Sequence, residues 1–366
     1  MPASHLKPKR ILVAPLDWGL GHATRCIPLI RELLVLGCEV LIGAEGRHAA
    51  LLREEFPGLQ ILPLPGYGIT YSRRPESFGL KMIGQVPRLQ RAVGRENRWL
   101  RKTVTEYRID AVVSDNRLGL HHPEIPCVIL THQLLIKSPF HAPADRWLQK
   151  INYHFINKFR ECWVVDFEGP DNFAGELSHP RYKPRVRLKY IGTLSRFGKK
   201  PGMEKRYDLL ALVSGPEPQR TCLEQLFLQQ LPGLPLNSLL VSGRPGELFD
   251  RRLSDNVRYV SHLGADALND AFCASDLIIG RSGYTTVMDL VKLGKKAILI
   301  PTPGQTEQEY LASFLQEQGY FFCVPQKNLQ LTRAIESATG FPYKDPSHGH
   351  NMETFKPVLA AFVASL

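Results

Sequence analysis

No stretch of this 366-residue chain reaches the roughly 18 consecutive apolar residues of a membrane-spanning helix, and the N-terminus lacks an apolar segment long enough for a secretion signal. The expectation is a cytoplasmic protein. Its seven cysteines, Cys26, Cys38, Cys127, Cys162, Cys222, Cys273 and Cys323, are scattered, odd in number and never spaced as CxxC. That argues against a disulfide framework or a zinc site and leaves them as small buried residues. GxSxG, GxxxxGK[ST] and HExxH are missing too, and no Asp-x-Asp pair is present to carry a metal-bound diphosphate. Serine hydrolysis, P-loop chemistry and a carboxylate-pair metal site therefore lack support. Acidic residues are in deficit: 35 Asp and Glu against 46 Lys and Arg leave a formal charge of +11. Such a surplus calls for an acidic partner, for which nucleotide phosphates, anionic lipid heads and nucleic acid all qualify.

What is present is globular, with 43% hydrophobic and 22% charged residues, and its length favours two domains over one. Ile11 to Ala14 is a short apolar strand. It is followed by Trp18-Gly19-Leu20-Gly21-His22, by a helix with Ile27, Ile30, Leu33 and Leu34 on one face, and by a second strand, Val40 to Ile42. This is a βαβ opening. Ile61 to Leu64, Ala111 to Ser114 and Val128 to Leu130 continue the series. A second series runs through Leu209 to Val213, Ser238 to Ser242, Val257 to Val260, Leu277 to Ile279, Ala297 to Ile300 and Phe321 to Val324. A Pro, Gly and Lys/Arg-rich segment from about Gly192 to Gly202 separates the two. The expected architecture is α/β: two Rossmann-like, doubly wound parallel-sheet domains facing each other across a cleft, at residues 1–193 and 194–349, with a helix at 350–366 packing back on the first. Ligands of such sheets sit beyond the carboxyl ends of the strands.

The richest segment is Ser275 to Ala312. A strand ending at Ile279 runs into the turn Arg281-Ser282-Gly283, then a helix carrying Val287, Leu290, Val291 and Leu293 that Gly294 closes, then a strand and a polar loop holding Gln305, Thr306, Glu307 and Gln308. Amides at such a helix start favour a phosphate, and a polar cluster beyond a strand end suits sugar hydroxyls. Asp289, six residues after Gly283, is placed to accept hydrogen bonds from ribose hydroxyls or to complement the helix dipole. Ser214 and Gly215, after an earlier strand, make a second phosphate-facing turn, and Arg196 in the linker is a candidate to reach the same phosphates.

Gly19-Leu20-Gly21-His22-Ala23-Thr24-Arg25 occupies the place of a dinucleotide fingerprint, but Thr24 replaces its third glycine, which disfavours a nicotinamide site. The glycines allow close approach of substrate, and His22 at the mouth of the helix is a candidate general base, with helix cap or core histidine as the bland alternatives. Asp115, just past its strand, is a candidate to orient His22 and stabilise its imidazolium, or to form a turn paired with Arg117. His132 and Gln133 are acceptor-side candidates.

Between Arg73 and Arg108 ten basic residues face three acidic ones. Arg88, Arg91, Arg95, Arg98 and Lys102 fall within about 80° of helical arc, next to the apolar Phe78, Leu80, Met82, Ile83 and Val86. That combination suits an anionic membrane surface or lipid-linked acceptor, and a solvated basic face is the plain alternative.

Together these motifs resemble the MurG-type branch of the GT-B glycosyltransferases, most strongly over Ser275 to Ala312, where Arg281-Ser282-Gly283-x-x-Thr286-x-x-Asp289 matches the donor-binding turn and helix. The resemblance implies that the Gly283-Tyr284-Thr285-Thr286 turn holds a diphosphate and that Asp289 binds ribose. It places Gln308 and Glu307 at the donor sugar, Leu263 beside the base, and Arg196, ending Gly192-Thr193-Leu194-Ser195-Arg196, on phosphate. The implied activity is metal-independent, inverting transfer of N-acetylglucosamine or a related hexose from a UDP-sugar to an acceptor hydroxyl, without cofactor or nucleic-acid partner, at the inner face of the cytoplasmic membrane. A nucleotide-sugar epimerase or hydrolase on the same fold, and a noncatalytic nucleotide-sugar-binding or membrane-docking subunit, stand as alternatives. Two departures stand out: the family has glutamate where this chain has Asp289, and a glycine-richer loop ending in proline where it has Trp-Gly-Leu-Gly-His-Ala-Thr-Arg.

Overall fold

The computed structural model describes residues 7–67, 86–138, 142–244 and 246–366, and only the backbone of 86–88 and 142. These residues form two compact units. One holds the chain up to Leu194 together with Asn351–Leu366, and the other holds Ser195–His350.

Apolar runs too short for helices and flanked by turn residues make most of the strands of the first unit. They are β1 (Arg10–Pro15), β2 (Glu39–Gly43), β3 (Gln60–Leu62), β4 (Ala111–Asp115), β5 (Cys127–Thr131), β6 (Glu161–Val164) and β7 (Arg187–Tyr190). Their order is β3-β2-β1-β4-β5-β6-β7, with every pairing parallel. Helices α1 (Leu20–Val35), α2 (Gly46–Glu55), α3 (Val86–Tyr107) and α4 (Ala142–Ile156) lie between strands. Ile11, Leu12, Val13 and Ala14 are wholly buried, as expected of a central parallel strand covered on both faces.

The second unit repeats the plan with β8 (Tyr207–Leu212), β9 (Ser238–Val241), β10 (Asp250–Ser254), β11 (Val257–Val260), β12 (Ser275–Arg281), β13 (Lys296–Ile300) and β14 (Phe322–Cys323), in the order β10-β11-β9-β8-β12-β13-β14. Its helices are α5 (Gln219–Gln230), α6 (Ala265–Cys273), α7 (Tyr284–Leu293), α8 (Thr306–Glu317) and α9 (Leu331–Thr339). The last helix, α10 (Phe355–Ala364), belongs to the first unit and meets α1. Among the parallel strands of each sheet the order reverses at one place, between β1 and β4 in the first and between β8 and β12 in the second. A crevice forms outside the strand ends at such a point.

Several expectations are revised. β6, β7 and β10 are strands that the apolar pattern does not reveal. The alternating charge of Arg-Leu-Lys-Tyr in β7 marks an edge strand, and Asp-Arg-Arg-Leu-Ser in β10 is a charged, largely exposed strand running antiparallel to β11, so the second sheet is not wholly parallel. β3 stops at Leu62, short of the expected Leu64, since Pro63 has no N–H for the ladder. Leu34 on α1 is 38% exposed instead of facing the core. The apolar cluster Phe78, Leu80, Met82 and Ile83, and the side chains of Val86 and Arg88, lie outside the described residues. Among the described residues no helix is long and apolar enough to cross a membrane.

Gly294 ends α7 in the left-handed region, at φ 64, where its N–H bonds back to Val291 and that of Lys295 to Leu290. A side chain there is strained, and an added Cβ would also stand 3.1 Å from Lys199 Nζ and Ser347 Oγ. Gly294→Ala is expected to cost about 1–2 kcal/mol, measured as a lower urea midpoint with an unchanged slope.

Candidate active site

In the first unit the reversal point is built by the ends of β1 and β4, where Pro15 and Asp115 are paired across the ladder. Asp115 is thus the last residue of its strand, fixed by sheet register, and not a loop residue beyond it. From Pro15 the chain passes through Gly19, whose φ of 153 and ψ of 149 admit almost only glycine, into α1. The Gly19 carbonyl accepts from the His22 amide at 3.1 Å and from His48 Nε2, on α2, at 2.9 Å. Gly21 lies inside the first turn of α1, which puts His22 beside the strand ends.

Here the structure brings His22 and Asp115 together: Nδ1 stands 2.9 Å from Oδ2, with the imidazole 18% exposed and the carboxylate fully buried. It also brings in Arg25, one turn further along α1. Arg25 Nε donates to Asp115 Oδ1 at 2.9 Å and to Oδ2 at 3.0 Å, Nη2 also contacts Oδ1, Nη2 lies 2.8 Å from His22 Nδ1, and Nη1 lies 3.3 Å from His132 Nδ1. Burial and the Arg25 charge push the His22 imidazole below its ordinary value, against the upward pull of Asp115. The start of α1 adds to this, because a helix N-terminus disfavours a cation. Burial would raise the Asp115 carboxyl, but Arg25 and His22 overcome it and hold the group at about 2. The site therefore presents a neutral imidazole against a carboxylate near neutral pH. His132 is buried against this cluster, and Gln133 is half-buried, its amide on Thr131 Oγ1 at 2.9 Å. Arg117 pairs with Glu96 at 2.9 Å and not with Asp115, and its Nε donates to the Pro15 carbonyl at 2.9 Å, bracing β1 from behind.

In the second unit, Ser214 and Gly215 are exposed beyond β8. Arg281 closes β12, and Gly283 leads into α7, which has neither a side-chain cap nor an acidic residue in its first turn. Amides left that way favour an anion. Arg281, Ser282 and Tyr284 are buried. Arg281 donates to the carbonyls of Gln219 (2.8 Å), Pro301 (3.3 Å) and Ile300 (3.4 Å), and Ser282 Oγ donates to Gln308 O at 2.9 Å. These side chains brace the turn from within, which leaves its outward face to Gly283, Thr285 and Thr286, all half-buried.

Asp289, one turn further on, accepts from Ser195 Oγ at 2.5 Å. Desolvation pushes its carboxyl up to about 7, against Ser195 and the charge of Arg196, whose guanidinium lies 5.2 Å from the Phe197 ring centroid. Gln305 precedes α8. Gln308 Oε1 takes the Thr302 amide at 2.9 Å and its Nε2 donates to Gln305 at 2.5 Å. Glu307 and Leu263 are half-buried near strand ends.

The chain is similar to known glycosyltransferases in sequence and in fold. Residues 249–355 match the glycosyltransferase family 28 C-terminal domain. An uncharacterized glycosyltransferase from Methanosarcina mazei is 25% identical over 337 residues, covering 85% of this chain and 84% of its own. The UDP-N-acetylglucosamine–N-acetylmuramyl-(pentapeptide) pyrophosphoryl-undecaprenol N-acetylglucosamine transferase of Acidiphilium cryptum is 23% identical over 332 residues, covering 88% and 86%. Among solved structures, Acinetobacter baumannii MurG superposes with a TM-score of 0.57 at 14% identity, covering 98% of this chain and 100% of that one. The chain is a glycosyltransferase of GT-B fold that carries a family 28 C-terminal domain and is similar to MurG.

Three residues of this glycosyltransferase acquire roles that the sequence reading did not give them. Arg25 sits inside the quoted glycine motif, three positions after His22, a spacing that places both on one helical face. Ser195 sits inside the quoted linker but reaches Asp289 over 94 positions. Thr302 Oγ1 is buried without a hydrogen-bond partner, and a Cβ added to Gly215 would meet nothing nearer than that hydroxyl, at 3.9 Å. No local pattern announces it.

Because the Asp115 carboxyl is depressed in the folded glycosyltransferase, its contribution to stability is present above the ordinary value of 3.8 and is lost as pH falls through about 2. The contribution is about 2 kcal/mol. Asp115→Asn should remove this acid limb from urea-unfolding curves. It should also cost about 3–5 kcal/mol near neutral pH, since Arg25 is left buried without its countercharge.

Proposed function

We propose that this glycosyltransferase is a metal-independent, inverting enzyme that moves N-acetylglucosamine or a related hexose from a UDP-sugar to an acceptor hydroxyl. The observation that carries the reading is the half-buried His22 imidazole, held by Asp115 at the strand reversal of the first unit. In this mechanism Asp115 accepts the hydrogen bond of His22 Nδ1–H, so Nε2 is bare and takes the proton of the acceptor hydroxyl. The acceptor oxygen attacks the anomeric carbon from the face opposite the diphosphate, the bond to the diphosphate oxygen breaks, and UDP leaves with both electrons of that bond. Charge growing on the departing diphosphate is assigned to the uncapped amides of α7, to Ser214 and Gly215, and to Arg196.

The name of the A. cryptum relative favours UDP-N-acetylglucosamine as donor and a lipid-linked acceptor. The crystal structure of SsfS6 with thymidine diphosphate, at a TM-score of 0.58, supports a nucleoside diphosphate as the common element of the donor. Arg91, Arg95, Arg98 and Lys102 are exposed along α3, and we assign this stripe to an anionic membrane surface, placing the enzyme as a peripheral protein at the inner face of the cytoplasmic membrane.

A melting-temperature panel of nucleotide sugars tests the donor. A ligand at 100 times its dissociation constant stabilises its binding state by about 2.7 kcal/mol, so UDP-N-acetylglucosamine should raise the melting temperature clearly, and a panel in which every uridine nucleotide is silent rejects the assignment. Donor incubated without acceptor should stay intact, whereas a new free or epimerised sugar indicates a hydrolase or epimerase. Transfer should persist in EDTA.

Asp289 gives the donor site its own pH dependence. The carboxylate is the better acceptor for ribose hydroxyls and forms as pH rises through about 7. UDP affinity by calorimetry should therefore increase across that range, and Asp289→Asn should flatten the profile.

A further inference from the structure

The hydrogen bonds around His22 contain a conflict whose resolution defines a role for Arg25. Nδ1 lies 2.9 Å from Asp115 Oδ2 and 2.8 Å from Arg25 Nη2. A ring nitrogen carries a proton or a lone pair, never both. With the proton on Nδ1, the ring donates to Asp115 and Nε2 keeps its lone pair. With Nδ1 bare, the ring accepts from Arg25 and the proton sits on Nε2, where the histidine can take nothing from an acceptor hydroxyl. Only the first arrangement is a base.

The surrounding contacts favour that arrangement. A guanidinium nitrogen of the Nη type has two N–H groups, and Arg25 Nη2 already contacts Asp115 Oδ1, while Nε binds both carboxylate oxygens and Nη1 lies near His132 Nδ1. Asp115 is thereby clamped with Oδ2 turned to the imidazole, and a bare Nδ1 would set its lone pair against that oxygen. The charged and titratable groups facing His22 are Arg25 on α1, Asp115 on β4 and His132 after β5. The guanidinium has one acid to neutralise and two rings beside it. It leaves Asp115 ionised but opposes a full charge on the His22 ring.

We propose that Arg25 is a positioning residue for the His22 base: its guanidinium fixes Asp115 where it accepts the hydrogen bond of Nδ1–H, and its charge opposes a second proton on the ring, so that Nε2 stays open. This rests on His22 being the base of the proposed transfer.

Imidazole 15N NMR on histidine-labelled, ligand-free protein tests it, with His22→Ala assigning the signal. The wild-type ring should show the Nδ1–H tautomer and titrate below the usual value of about 6.5. Arg25→Gln, which removes the charge, should raise the midpoint by about one pH unit or more, and Arg25→Lys, which keeps it, should stay within a few tenths of a unit of wild type. An Nε2–H tautomer in the wild type, a wild-type midpoint above 6.5, or an unmoved midpoint in Arg25→Gln overturns the proposal. If Arg25→Gln does not fold, the wild-type tautomer and midpoint together with Arg25→Lys still decide. The titration needs neither donor nor acceptor: an unmoved midpoint in Arg25→Gln removes the role of Arg25 and leaves His22 as the base, an Nε2–H tautomer removes both, and a failure of sugar transfer would leave these spectra as they are.

Discussion

A carboxylate with no exposed surface sits at the centre of this structure. Asp115 is the last residue of a central strand, and burying its charge costs several kcal/mol unless partners compensate it. Arg25 and His22 are those partners, both delivered by α1, so the helix that follows β1 is tied to β4 by electrostatics as well as by packing. Arg25 and His22 overcome the burial that would neutralise the carboxylate and keep it ionised, and the low-dielectric surroundings strengthen its hold on the imidazole. In this site stability and chemistry rest on one charge. Arg117, pinning the Pro15 carbonyl with Glu96 behind it, fixes the strand end from the other side.

The second unit uses the same topology for a different chemistry. At the reversal between β8 and β12 the described residues offer a helix start without a side-chain cap, a glycine turn and a braced set of buried polar side chains, with the desolvated Asp289 one turn further along the helix. Arg281 and Ser282 spend their hydrogen bonds on carbonyls of neighbouring loops, so the backbone of the turn is held rigid while its amides stay available. Preorganised amides of this kind are inexpensive hosts for a diphosphate because little has to move when it arrives.

Much of this was legible in the sequence because the informative segments are local. The turn at Gly283, the helix closed by Gly294 and the strand-glycine-helix run at His22 each express a single physical rule over a few residues, and each element forms where that rule puts it. The edge strands β7 and β10 were not legible, since a strand paired on one side carries charged residues that hide its periodicity. Arg25, Ser195 and Thr302 were not legible for another reason. Their partners lie 90, 94 and, for the Gly215 turn facing Thr302, 87 positions away, and such contacts exist only once the sheets are assembled. The apolar run places Asp115 just past its strand, because the register with Pro15 that includes it in the ladder is a tertiary fact.

The most direct test of the account is the behaviour of His22→Ala with UDP-N-acetylglucosamine and a lipid-linked acceptor hydroxyl. Loss of a positioned base lowers turnover by about 10²-fold or more, while UDP affinity, held by the other unit, should stay within a factor of two of wild type. Unchanged transfer by the variant would contradict the assignment of the base, and with it the part given to Asp115.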